Sequence, residues 1–167
     1  MLKFIFTSLN IIVMIMATGF VQADNATIYQ SQLESLLSSN ETPEGVVFEI
    51  IDRDKLFLNW ALPEVEKQAK HLRQRFPDLD IVIVSHGQEM FALTRTNQSE
   101  NPLLKSQLDI LKSQDIQVHV CGTYAGWRGL DESAFPDNVD VAAEGPAQIN
   151  DYIKLGYVHI KVARQKM

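Results

Sequence analysis

Apolar positions along this chain switch between two spacings, and the switch predicts strands separated by helices. Val46-Val47-Phe48-Glu49-Ile50-Ile51 is rich in β-branched residues and is closed by Asp52-Arg53-Asp54, so it reads as the first strand. Val65, Ala69, Leu72 and Phe76 then recur at steps of four, three and four, one face of a helix. Pro63 suits its first turn, with a short helical turn over 56–60 leading in across a bend, and Pro77 stops it. Ile81-Val82-Ile83-Val84 is apolar on both faces, which predicts an interior strand of a covered parallel sheet.

A turn of helix over 88–93 follows. Asn101-Pro102 then supplies a helix N-cap and first position for a stripe of Leu104, Leu108 and Leu111. Ile116-Gln117-Val118-His119-Val120-Cys121 is the third strand, and its polar Gln117 and His119 alternate with valines. A weaker strand covers 139–143. Pro146 opens a helix carrying Ile149, Tyr152 and Ile153, capped by Gly156, and the last strand is 157–162. Five strands with crossover helices give an α/β fold, a three-layer α/β/α sandwich with a mainly parallel sheet. Residues 45–167 form that domain. Residues 24–44 are a polar N-terminal extension, a tail or short helix in which Ile28, Leu33, Leu36 and Leu37 have partial helical spacing.

The first 23 residues stand outside this pattern. Lys3 is their only charge, residues 4–20 are mainly apolar, and Val21-Gln22-Ala23 precedes Asp24. Valine and alanine at the −3 and −1 positions predict a cleaved signal peptide and a periplasmic or secreted protein with no membrane attachment afterwards. The alternative is a retained anchor, for which the run is at the short limit.

The whole chain of 167 residues carries a formal charge of −6. Cleavage removes Lys3 and makes the balance more acidic. This acidic balance argues against a nucleic-acid binder, which needs a basic stripe for the phosphates. A single cysteine, Cys121, excludes an internal disulfide and a four-thiolate zinc site. No Gly-rich nucleotide motif is present, so no cofactor is expected. His86, Met90, His119 and Cys121 are donor types that suit copper, but their spacing matches no defined metal site.

In open α/β sheets reactive groups collect beyond the carboxyl ends of the strands. His86 ends the second strand and Cys121 the third, so an imidazole and a thiol meet at one rim if those strands are neighbours. Thr123 is placed to cap a helix just after Cys121, and Arg128 to supply positive charge; both favour a thiolate, the nucleophilic form. Each residue also has a structural alternative: Cys121 as a small core residue, His86 as a hydrogen-bonded strand end, and Arg128 as an ion-pairing surface residue.

Val84-Ser85-His86-Gly87, the leucine-bearing helix after Asn101-Pro102, Val120-Cys121, Arg128-Gly129 and the closing Gly156-Tyr157-Val158-His159-Ile160-Lys161 occur in the order and spacing of a known family. The chain resembles the DsrE/DsrF-like family over most of residues 45–162, and most of all its exported single-domain members. The resemblance implies a five-stranded sheet of order 4-3-2-1-5 and homo-oligomers. In active members it implies a cysteine that carries sulfur as a persulfide, and Cys121 falls at that position. The chain would then be a sulfur carrier or sulfurtransferase-like enzyme with Cys121, His86 and Arg128 at its site. Its partners would be a sulfur donor or acceptor protein or a small thiol. The competing expectation is a non-catalytic exported binding or assembly module with a structural Cys121. Two features depart from the family: the relay members are cytoplasmic, and bulky Tyr124 and Trp127 follow the cysteine.

Overall fold

All four strand pairings are parallel, so every connection crosses from one end of the sheet to the other and every strand delivers its last residue to the same rim. The computed structural model describes residues 24–164; the signal segment expected over 1–23 lies outside the described residues. The elements are α1 (Asn25–Leu37), β1 (Gly45–Ile50), α2 (Leu58–Arg75), β2 (Asp80–Ser85), α3 (Arg95–Glu100), α4 (Pro102–Ser113), β3 (Ile116–Cys121), α5 (Gly122–Gly126), β4 (Asp140–Ala142), α6 (Gly145–Lys154) and β5 (Tyr157–Lys161). The sheet order is β4-β3-β2-β1-β5. β2 is therefore interior and next to β3, as its two apolar faces require.

The two faces of the sheet are covered unequally. On one, Val46, Phe48, Ile50, Ile81, Ile83, Val118 and Val120 pack with α1, α2 and α4 in the large core. On the other, Val47, Val82 and Val84 meet only Ile149 of α6, with Tyr152 and Tyr157 alongside. Strand alternation puts Glu49, His119, His159 and Lys161 on this thinly covered side. His119 lies beneath α6, where its Nε2 meets the Tyr152 hydroxyl at 3.0 Å, and burial pushes its pKa below the ordinary imidazole value against the pull of Asp140. Gln117, its partner in the polar alternation, is exposed.

Several local expectations are revised. Of the two expectations for the N-terminal extension, the helix holds over Asn25–Leu37, capped by Asp24 through the Thr27 amide. It buries Tyr29, Leu33 and Leu36 and leaves Ile28 exposed, because steps of four and three from Tyr29 make the stripe. The later part of the 56–60 turn and the helix after it are one element from Leu58, with Pro63 inside on an exposed position. α3 has no apolar stripe and was invisible to periodicity. In α6, Ile153 points out rather than in. Gly156 closes that helix with φ +94°, as its position suggested. The Asn101 carboxamide caps α4 through the Leu104 amide at 3.1 Å.

Candidate functional site

The ends of β1, β2 and β3 and the start of α6 enclose a cleft of about 930 Å³ that His86 and Cys121 both line. The register explains the meeting. Ser85 pairs with Val120, so the next residue of each strand, His86 and Cys121, emerges side by side. α6 then enters between them. A Cβ built on Gly145 would lie 2.7 Å from the His86 Cβ and 3.3 Å from the Cys121 Cβ, which bounds the separation of those two atoms by the sum. Only glycine lets the helix backbone approach both. The positive end of the α6 dipole, with Pro146 in its first turn, thus lies against the Cβ of Cys121.

Cys121 is 5% exposed and packs against the large core while bordering the cleft. The Thr123 expectation is corrected. Cys121 itself occupies the N-cap of a five-residue helix, and the Thr123 hydroxyl donates to the Ala143 carbonyl at 2.9 Å, tying β3 to the β4–α6 loop. Tyr124 and Trp127 wall the cleft without sealing it: Trp127 is 76% exposed, and Tyr124 stands edge-on to Phe91. Arg128 is not brought to Cys121. Its guanidinium lies over the Phe91 and Tyr124 rings and faces a neighbouring cleft. The four soft donors do not converge either: Met90 is buried in the large core and His119 is bonded beneath α6.

Sequence reading missed the residue that orders His86. The Glu49 carboxylate accepts from His86 Nε2 at 3.0 Å and from His159 Nε2 at 2.8 Å, with Lys161 Nζ at 3.8 Å. The His159 hydrogen bond first, then the His86 bond, hold the Glu49 carboxyl far below the usual carboxylate range, and burial opposes them. An ionised carboxylate only accepts, so both imidazoles present Nε2–H to it. In the neutral His86 ring this leaves Nδ1 as the basic atom. The available signal was a lone carboxylate inside an apolar strand, one residue before its end.

This geometry has a pH consequence. Because the folded-state pKa of Glu49 is depressed, the folded chain holds fewer protons than the unfolded chain once the pH falls to the ordinary glutamate value of 4.5 and below. The stability Glu49 contributes is present above that pH and is lost as pH falls below it. Urea unfolding between pH 5 and 3 is expected to show wild type losing about 1 kcal/mol per pH unit more than Glu49→Gln. Parallel slopes would mean the two histidine bonds do not set the carboxyl.

Comparison with known proteins gives a consistent picture. The family model described as DsrE/DsrF-like family matches residues 52–162. No curated protein matches the chain. Among solved structures, the protein of unknown function MTH1491 from Methanobacterium thermoautotrophicum is similar at TM-score 0.57 and 19% identity, over 70% of this chain and 97% of that one. The ychN protein from E. coli is similar at TM-score 0.53 and 18% identity, over 71% of this chain and 99% of that one. These two share the fold.

Proposed function

Because the chain belongs to the DsrE/DsrF-like family, we propose that it is an exported sulfur carrier in which Cys121 accepts a sulfane sulfur and holds it as a persulfide. The observation that carries this reading is the convergence of Cys121, His86 and the α6 N-terminus on one open cleft. The Cys121 thiolate attacks the outer sulfur of a donor R–S–SH. The donor S–S bond breaks, its electron pair leaves on R–S⁻, and Cys121–S–SH forms with no net oxidation. His86 Nδ1 takes the thiol proton and returns it to the departing thiolate, while Glu49 keeps the ring in the required tautomer. An acceptor thiolate then removes the terminal sulfur by the same exchange.

Residues 1–23 support a periplasmic or secreted setting, in which the partner is a thiol-bearing protein or small thiol. The thin cover of the α6 face, with Ile153 and Leu155 exposed, supports a homo-oligomer; light scattering of the mature chain returning a monomer mass would remove it. One observation favours the other reading, a non-catalytic binding or assembly module: Cys121 is nearly buried. Alkylation separates the two. The folded chain, with Cys121→Ser as blank, is expected to label through the cleft at a rate comparable with or above that of the urea-unfolded chain. Labelling only on unfolding would make the cysteine structural.

A further inference from the structure

Beside the thiol cleft lies a second one, of about 570 Å³, and its charged lining is wholly basic: Lys55, Arg95 and Arg128. This is unexpected on a chain with 21 acidic against 15 basic residues. Arg95 is already committed, to the Asp137 carboxylate at 2.6 Å and to the Ser133 carbonyl. Among the described residues neither Lys55 nor Arg128 pairs with a carboxylate. Arg128 is held in place by stacking, 5.5 Å from the Phe91 centroid and 5.8 Å from that of Tyr124, so its donors are presented to the cleft at low entropic cost. The two clefts adjoin. Gln88 lines both, and the Tyr124 ring under Arg128 is a wall of the thiol cleft.

We propose that the basic cleft is an acid-binding subsite for the small molecule that exchanges sulfur with Cys121, which makes that molecule a thiol or persulfide bearing a carboxylate or sulfonate several bonds from its sulfur. This rests on the sulfur-carrier reading for the identity of the reacting end, but the subsite itself is separately measurable. Lys55 and Arg128 hold the acid group by charge-assisted hydrogen bonds, and the chain of the ligand passes Gln88 to bring its sulfur to Cys121. Arg128 therefore acts on the substrate and not on the thiolate.

The probe is N-acetyl-S-methylglutathione, which carries two carboxylates, has no free amine and cannot react, titrated calorimetrically into the mature Cys121→Ser chain beside its neutral diethyl ester. The acid is expected to bind at least tenfold more tightly than the ester, with the advantage shrinking at high salt. Arg128→Ala and Lys55→Ala are each expected to erase most of that preference while leaving unfolding midpoints and binding of the ester unchanged. Equal binding of acid and ester, no binding of either, or a preference that survives both substitutions would overturn the subsite. None of these results depends on Cys121 chemistry, so they leave the sulfur-carrier reading to its own test.

Discussion

Glu89→Ala is expected to be among the most destabilising single substitutions in the chain. Glu89 is 0% exposed, yet it carries a carboxyl with no cation beside it. Its oxygens instead accept from the Asp52 amide at 2.7 Å, the Gly87 amide at 2.9 Å and the Ser85 hydroxyl at 2.8 Å. Those donors belong to the ends of β1 and β2, so one side chain clamps the two strand ends that carry the floor of the thiol cleft. Alanine would leave all three donors without their acceptor, those of Gly87 and Ser85 in buried surroundings, at a cost of roughly 3 kcal/mol. That is a large part of the roughly 5–15 kcal/mol typical of a domain. The check is the urea midpoint at neutral pH. A loss below about 1 kcal/mol would show that water or a local shift replaces the clamp.

Gly145→Val is expected to have the largest effect on the site itself. The added Cβ would fall within 2.7 Å of the His86 Cβ, and the branch beyond it has no room on the Cys121 side either. The start of α6 must then lift from the strand ends, or His86 and Cys121 must separate. Overpacking of this kind costs about 1–3 kcal/mol. The sharper expectation is chemical: thiol reactivity of folded Cys121 should change by tenfold or more, while Ala147→Val two residues along, at an exposed position, leaves it unaltered. A Gly145→Val chain as reactive as wild type would mean that α6 does not set the pair.

The fold was legible because β1 and β2 are strongly apolar, β3 alternates valines with polar residues, and α2, α4 and α6 each carry a periodic stripe. Strand order came from the family resemblance, and the interior place of β2 from its two apolar faces. α1 was read only as a tail or short helix because its buried stripe runs through Tyr29, outside the aliphatic spacing, and α3 was not read at all because it buries only Gln98. For the site, position at strand ends sufficed to bring His86 and Cys121 together. It failed for Arg128, because the turn after α5 carries that side chain onto Phe91, a contact between segments 37 residues apart. Glu49 and Glu89 were missed for a related reason. Their partners, His159 in one case and the Asp52 amide in the other, lie far away in sequence, and a lone carboxylate in an apolar stretch announces a partner without naming it.

The central claim is that Cys121 carries sulfur, and mass spectrometry of the intact native chain tests it most directly. The mature protein is exposed to a persulfide donor, freed of excess donor, and analysed with and without a reducing thiol, beside Cys121→Ser treated alike. The account predicts a mass gain of one sulfur atom, located on the Cys121 peptide, removed by the thiol and absent from the variant. An unmodified Cys121 in a folded chain under these conditions, or the same gain in the Cys121→Ser protein, would contradict it.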